Sequence, residues 1–215
     1  MTPDDESVRA LGEISARLSS ADTSERFEAT DALGSLGASA GAAIDALVVA
    51  LRDPQLLVRL GAIKALGRIG SSAAAEAEPA LLAAMDRPEQ TVQAAWALGK
   101  LGASASAVLA RLRGLLDDDD EEAREVAAMA LWRIVRDLDA VHRIGDTLDS
   151  DDPMLVALAA RDLIEIGGHS AAARLEVVLA TGDEERARIV MTSLTHIATT
   201  PEAALRSLRD RSIDG

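Results

Sequence analysis

The 215-residue sequence contains no cysteine, no tyrosine and only three aromatic side chains. The absence of cysteine excludes disulfides, thiolate metal sites and a cysteine nucleophile. An all-β fold is disfavoured, because sandwiches and barrels depend on aromatic and β-branched residues. No uninterrupted run of about 18 apolar residues occurs, and the acidic start of the chain lacks the apolar core of a signal peptide. We therefore expect a cytoplasmic protein that does not span a membrane.

Positive charge is also scarce. The chain has 36 acidic and 22 basic residues, for a formal net charge of −14, and its only lysines are Lys64 and Lys100. This balance disfavours broad binding to nucleic acid, whose affinity depends on cationic contacts with phosphates. Acid-rich, lysine-poor, alanine-rich chains are typical of salt-loving archaea and, in a milder form, of high-GC actinobacteria. Both origins stay open at this point.

A six-residue motif, Ala-Leu-Gly-x-Leu-Gly, recurs along the chain. Three clear copies begin at Ala32, Ala65 and Ala97, and degraded copies begin at 130, 162 and 193. The spacing between successive copies is 31 to 33 residues. A nearly constant period of this length is the signature of a repeat architecture in which each unit is one supersecondary motif.

Each unit reads as two helices. Apolar residues at helical spacing, such as Ile44, Leu47 and Leu51, form the first helix. The second is predicted from about Pro54 to Ile69, with Gly70 as its C-terminal cap, and aspartates in the turn are expected to cap its N-terminus. The predicted repeats are 6–37, 38–70, 71–102, 103–135, 136–167 and 168–198, followed by a half-repeat over 199–215 that covers the last apolar face.

The period, the helix pair and the hexapeptide resemble HEAT-like repeats, in particular the short class named after phycobilisome lyases. Arg59, Arg26 and Arg124 match the arginine that this class places at the start of the second helix, where it typically braces a turn aspartate such as Asp53. The other three units depart from this pattern, with Thr91, Val156 and Ala187. The resemblance implies an all-α, right-handed α-solenoid of six repeats plus a C-terminal cap, forming one domain over 1–215. It also implies a surface that is presented to other molecules.

Catalytic motifs are sparse. The three histidines, His142, His169 and His196, are 27 residues apart, and the sequence holds neither a His-Glu-x-x-His motif nor a glycine-rich phosphate loop. The acidic run 117–122 lacks the alternating ligands and central glycine of an EF-hand. We interpret it as a solvated turn between helices. The sequence therefore predicts a non-enzyme without a cofactor or a metal.

One face of the second helices differs in charge from the rest of the chain. We define the second-helix stripe as positions −5, −4, −1 and +3 relative to the first residue of each hexapeptide, which share a helix face opposite the alanine–leucine core. It carries six basic and four acidic side chains, a net +2 against −16 elsewhere. It also carries apolar side chains where solvent is expected. The predicted partner-binding residues are Lys64, Arg68, Trp96, Lys100, Met129, Arg133 and Arg161.

Two interpretations of the stripe remain open. Its basic residues either bind an acidic partner or balance the acidic surface, and Trp132 lies either in the core or beside Trp96 and Met129 in an exposed cluster. We favour a protein-interaction scaffold or adaptor, monomeric or weakly oligomeric. It would hold an acidic partner segment on the concave face, for instance in signalling or taxis. The alternatives are a subunit of a lyase or other enzyme and a concave-face nucleic-acid binder.

Overall fold

The computed structural model describes residues 3–181, 183–198 and 200–210. These residues form thirteen α-helices and two short 3₁₀ helices and, within these ranges, no β-strand. The α-helices are α1 (Pro3–Arg17), α2 (Thr23–Leu36), α3 (Ile44–Ala50), α4 (Leu56–Ile69), α5 (Ala74–Ala84), α6 (Pro88–Leu101), α7 (Ser106–Leu115), α8 (Glu121–Val135), α9 (Leu138–Thr147), α10 (Pro153–Ile166), α11 (Gly168–Ala180), α12 (Glu184–Leu194) and α13 (Pro201–Arg209). The 3₁₀ helices, Gly37–Ala43 and Gly70–Ala73, precede α3 and α5. The predicted all-α solenoid of helix pairs is confirmed.

The helices form two compact units, residues 1–112 and 113–215. In the first unit the second helices α2, α4 and α6 pack side by side, and α1, α3 and α5 cover them from one side. In the second unit α10 packs against α8 and α12, while α9, α11 and α13 form the covering layer. Helix α13 occupies the range predicted for the terminal half-unit, Pro201 to Arg209, and packs on α11 and α12. Residues 199 and 211–215 of the predicted cap lie outside the described residues.

The last glycine of the hexapeptide ends the second helix, as predicted. Gly37, Gly70, Gly102 and Gly167 are the C-caps of α2, α4, α6 and α10, and all four have positive φ. The fourth copy has valine at this position. Helix α8 therefore continues through Val135, and Arg136 adopts the left-handed conformation with φ 54°. Such a conformation is costly for a residue with a side chain.

Turn aspartates cap most of the second helices. Asp22, Asp120, Asp152 and Asp183 each accept hydrogen bonds from the first-turn N–H groups of α2, α8, α10 and α12, which satisfies donors that would otherwise lack partners. Helix α4 is different. It begins at Leu56, two residues later than predicted, because the Asp53 carboxylate accepts from the Gln55 N–H and keeps the turn outside the helix.

The third residue of the hexapeptide lets neighbouring second helices approach closely. A Cβ at Gly34 would lie 3.2 Å from the Cα of Ala65 in the next helix. A Cβ at Gly67 would lie 3.1 Å from the Cα of Ala97 and would overlap the Trp96 ring. Two of these contacts are with backbone atoms, which cannot swing aside as a flexible side chain can. The glycines therefore set the helix spacing.

Two arginines brace the turns of the first unit, but not as predicted. The carboxylate of Asp53 is bound by Arg26 of the preceding repeat, whose Nε and Nη2 lie 2.7 and 3.1 Å from its two oxygens. Arg59 instead donates to the backbone carbonyls of Asp53 and Pro54, and its other terminal nitrogen reaches Glu89 of the next repeat. Each arginine thus holds its own turn through the backbone and the following repeat through a carboxylate.

These contacts shift the ionisation of the buried pair. Burial opposes the charge on Asp53, but the hydrogen bonds from Arg26 and the Gln55 N–H and the nearby positive charges together lower the pKa of Asp53. The hydrogen bond to Asp53 likewise raises the pKa of Arg26. The pair is therefore held in its charged form, and its two side chains are only 11% and 8% exposed.

A second set of arginines, which sequence reasoning missed, comes from the first helices and reaches back to the preceding repeat. Arg111 donates to the Met85 carbonyl, and Arg143 donates to the carbonyl of Leu116 and the carboxylate of Asp117. Farther along, Arg174 pairs with Asp146 and Arg209 with Glu176. The spacing of these arginines, close to the repeat period, was the available signal.

The segment Thr23–Ala50 is long and apolar enough to cross a membrane by length and composition alone. In the structure it is not one helix, because Gly37 ends α2 and a 3₁₀ segment precedes α3. Both α2 and α3 pack on α4, and Leu33 and Leu47 are fully buried between them. We therefore assign this segment to the repeat core.

Candidate interaction surface

In the first unit, four predicted residues form one patch. Lys64, Arg68 and Lys100 are exposed, and Trp96 is half-buried. The Trp96 ring lies over Gly67. Gly67 follows Lys64 by three residues and directly precedes Arg68. Because Lys100 follows Trp96 by one helical turn, the tryptophan stands among three cationic side chains. We call these four residues the unit-one patch.

The charges of this patch are not equally available. Arg68 lies 3.7 Å from Asp31 on the neighbouring helix α2. Within the described part of the chain, neither Lys64 nor Lys100 makes an ion pair. The two lysines therefore carry most of the uncompensated positive charge of the patch.

In the second unit, the expectation that the stripe is exposed is wrong at two positions. Met129, predicted to contact a partner, is only 2% exposed, and Glu125 is only 1% exposed. Trp132 is 3% exposed, which places it in the core. The Arg136 guanidinium lies 5.1 Å from the centre of the Trp132 ring, within the range of a cation–π interaction. This contact offsets part of the cost of the left-handed conformation of Arg136.

The two predicted arginines of the second unit differ in accessibility. The Arg133 side chain is 14% exposed, and its Nε and Nη2 lie 3.0 and 2.9 Å from the two carboxylate oxygens of Glu165. The Arg161 side chain is 65% exposed, and its Nε and Nη2 both donate to one oxygen of Asp162 at 3.2 Å. Arg133 is consequently neutralised, whereas Arg161 keeps a face toward solvent.

Two carboxyl groups are buried beside Arg161. Glu125 on α8 accepts a hydrogen bond from the Thr147 hydroxyl at 2.7 Å, while its other oxygen is buried without a partner. Burial, partly offset by the Thr147 hydrogen bond, raises the pKa of Glu125 from its ordinary value of 4.5 to about 8. Burial also raises the pKa of Asp162, against the opposing charges of Arg161 and Arg133. Glu125 is therefore protonated at neutral pH.

A groove of about 700 Å³ opens along α10 in the second unit and is bounded by α8 and α12. Its apolar lining comes from Met154, Leu155, Leu158 and Ile164, and its polar lining includes Glu122, Asp152, Arg161 and His196. Leu158, Arg161 and His196 belong to the second-helix stripe. Sequence reasoning missed Met154 and Leu155, whose available signal was an apolar pair directly after the Asp-Asp-Pro turn.

No cluster of three or more histidine, aspartate or glutamate side chains is arranged to hold a metal ion among the described residues. Of the three histidines, only His196 lines the groove, and all three are exposed. The acidic run begins with a residue paired to Arg143 and ends with the N-cap and first turn of α8. Its carboxylates thus serve the turn between α7 and α8.

Comparisons with known proteins agree with this architecture. The family model for HEAT repeats matches residues 10–99. The complex of CpcE and CpcF of phycocyanin lyase from Nostoc sp. PCC7120 is similar in structure, with a TM-score of 0.58, 21% identity and 93% of each chain covered. A designed armadillo repeat protein in complex with the peptide (KR)4 aligns with a TM-score of 0.54 and 19% identity, covering 86% of this chain and 98% of that one.

An archaeal HEAT-like repeats protein from Thermococcus onnurineus NA1 aligns over 94% of this chain and 89% of its own, with a TM-score of 0.50 and 16% identity. No curated protein sequence matches the chain at a significant level. At such identities the structural likeness shows the fold alone. Together with the match to HEAT repeats over residues 10–99, it shows an α-solenoid built of HEAT-like helix pairs.

Proposed function

We propose that the chain is a non-catalytic, cytoplasmic scaffold that holds an acidic segment of a partner protein against the unit-one patch of the second-helix stripe. The observation that carries this proposal is the unit-one patch. There a half-buried tryptophan, already positioned by its contact with Gly67, stands between two lysines that make no ion pair within the described residues. Tryptophan and arginine, here Trp96 and Arg68, are both enriched at binding hot spots.

The charge pattern supports an acidic occupant. The chain as a whole carries −14, so an acidic segment is repelled by most of the surface and attracted to the patch. Such a contrast steers a ligand to one place and raises the association rate. An adaptor role in signalling is one concrete form of this function, since the scaffold would join a partner without transforming it.

The test uses a fluorescein-labelled peptide of repeated Leu-Glu-Glu and its neutral match, repeated Leu-Gln-Gln, in fluorescence anisotropy titrations. The wild-type chain should bind the acidic peptide more tightly, and the preference should weaken as salt is added. The double variant Lys64→Glu with Lys100→Glu should lose about tenfold or more in affinity for the acidic peptide, because two attractive contacts become repulsive. Both side chains are exposed, so folding should be retained.

The matched control reverses two exposed arginines that lie off the stripe, Arg52→Glu with Arg87→Glu, and makes the same change in net charge. It should bind nearly as the wild type does. The proposal fails if the lysine variant binds the acidic peptide as tightly as the wild type, or if both double variants lose affinity equally. The second result would show attraction by net charge rather than by the patch.

A further inference from the structure

The groove of the second unit combines an apolar floor with charges of opposite sign at its two ends. Met154 is 78% exposed, and Leu155, Leu158 and Ile164 line the same cavity. An exposed apolar side chain in a concavity of about 700 Å³ favours an occupant that buries an apolar group there.

The cationic end is formed by Arg161, with His196 beside it as a further hydrogen-bonding side chain. The Asp162 carboxylate holds the Arg161 guanidinium through Nε and Nη2, while Nη1 has no hydrogen-bond partner among the described residues. The guanidinium is thus oriented by one carboxylate and still able to donate to another. His196, which follows the end of α12, lines the same part of the groove and is exposed.

The acidic end is formed by Asp152 and Glu122. One oxygen of Asp152 caps α10 by accepting from the Met154 N–H, and Glu122 makes no ion pair within the described ranges. Asp152 and Arg161 are nine residues apart along the α10 segment, or about 13 Å at 1.5 Å per residue. Leu155 and Leu158 lie between them.

We propose that this groove binds an extended peptide segment with the pattern cation, any residue, apolar residue, any residue, acid. This rests on the scaffold function proposed above and names the segment that the second unit takes. In an extended chain, alternate residues point to the same side, and four residue steps span about 13 Å, the distance between the acidic and cationic ends. The apolar side chain then meets Leu155 and Leu158, the acid meets Arg161 and His196, and the cation meets Asp152 and Glu122.

The charge of both signs separates this occupant from the other classes. A nucleic acid brings phosphates to the Asp152 and Glu122 end, where they are repelled. A uniformly acidic peptide gains Arg161 and loses at the opposite end. A bipolar segment satisfies both ends at once.

The test uses the chain labelled with ¹³C at the methionine methyl groups and the capped probe peptide Gly-Lys-Ser-Leu-Ser-Glu-Gly. The methyl resonance of exposed Met154 should shift and saturate, while that of buried Met85 in the first unit should not move. Replacing the leucine of the probe with alanine should abolish saturation. Replacing its glutamate with glutamine should weaken binding up to about fivefold, as for an exposed ion pair.

Two variants of the chain test the assigned contacts. With Arg161→Gln the preference for the glutamate probe over the glutamine probe should fall to nearly none. Because Arg161 also neutralises buried Asp162, His196→Gln, which breaks no hydrogen bond seen here, provides a second variant that should reduce the same preference. Arg52→Gln, the same substitution at an exposed arginine of the first unit, is the matched control and should leave the Met154 titration unchanged.

The inference is overturned if the probe leaves the Met154 resonance unmoved at millimolar concentration, or if Arg161→Gln and His196→Gln both keep the full preference for glutamate. It is also overturned if raising the concentration of the chain alone shifts Met154, since the occupant is then a second copy. If the groove fails while the repeated Leu-Glu-Glu peptide still binds through Lys64 and Lys100, the scaffold function stands without it. Failure of the Leu-Glu-Glu peptide to bind, with the groove still binding its probe, refutes the acidic occupant of the unit-one patch and leaves the groove intact.

Discussion

Replacing Glu125 with glutamine should stabilise the second unit at neutral pH and above, and the gain should disappear in mild acid. Glutamine keeps the oxygen that accepts from Thr147 and places an amide where the protonated wild-type carboxyl has its unpartnered oxygen. The replacement therefore preserves shape and hydrogen bonding and removes only the ability to ionise.

The magnitude follows from linkage. The pKa of Glu125 is about 8 in the folded chain against an ordinary 4.5, so between these values the unfolded chain releases a proton that the folded chain retains. Folding stability is then fully present below pH 4.5 and falls as pH rises toward 8, by about 1.4 kcal/mol per pH unit. The cost relative to mild acid is about 3 kcal/mol at pH 7 and approaches about 5 kcal/mol above pH 8, a large share of the stability of a small domain.

Urea titrations from pH 5 to pH 8 measure this difference. Trp132 is the tryptophan of the second unit, so a Trp96→Phe background makes fluorescence report that unit alone. Across this range the midpoint for Glu125→Gln should fall less than that of the parent, because only the raised pKa of Asp162 remains in the variant. Glu122→Gln, an exposed change on the same helix, should follow the parent. Parallel curves for parent and Glu125→Gln would refute the reasoning, because Glu125 would then ionise normally in the folded chain.

Three further predictions concern stability. Gly67→Ala should lower the free energy of unfolding, measured by urea titration, by about 1–3 kcal/mol, since the added methyl group meets Trp96 and the backbone of Ala97. Gly12→Ala, in an open helical position, should instead raise it by up to about 1 kcal/mol. Equal effects of the two substitutions would contradict the packing role of Gly67. Asp53→Asn should cost about 3 kcal/mol of unfolding free energy, because it leaves the charge of Arg26 unpaired. Since the pKa of Asp53 is lowered, the stability that the ion pair contributes in the wild type should be lost as pH falls below about 4. A difference between wild type and variant that does not depend on pH would count against the pair. The melting temperature should rise with potassium chloride, because salt screens the repulsion within a chain of net charge −14; at 1 M the Debye length is about 3 Å. A melting temperature that does not change with salt would argue against brine adaptation.

The repeat itself was readable from the sequence because its determinants are local and periodic. The positive-φ glycines, the turn aspartates and the alanine–leucine core each reappear at the repeat spacing, and together they predicted the helix pairs and the bounds of α13. The start of α4 was misplaced because Pro54 suits a first helical turn, whereas the Asp53 carboxylate holds the turn open.

Burial on the stripe was less predictable, because it depends on the side chain that stands opposite, and opposite partners do not recur. In α8 the packing glycine is replaced by Trp132. Met129, about one helical turn before Trp132, and Glu125, about two turns before it, both lie in the core. Asp162 occupies the hexapeptide position that holds alanine in the first four copies. That substitution was the visible signal of a buried charge, and its meaning required the neighbouring Arg161.

The arginine braces change what counts as an exchangeable module. A cassette cut at the sequence period, residues 38–70, carries Asp53 away from Arg26 and removes Arg59 from Glu89. Moving this repeat alone would therefore leave Arg26 and Glu89 without these partners, even though every repeat is intact. An engineer who wishes to lengthen or recombine this chain should instead transfer each such arginine together with the acidic residue that it binds in the following repeat. The segment to exchange is therefore offset from the repeat that the sequence similarity defines.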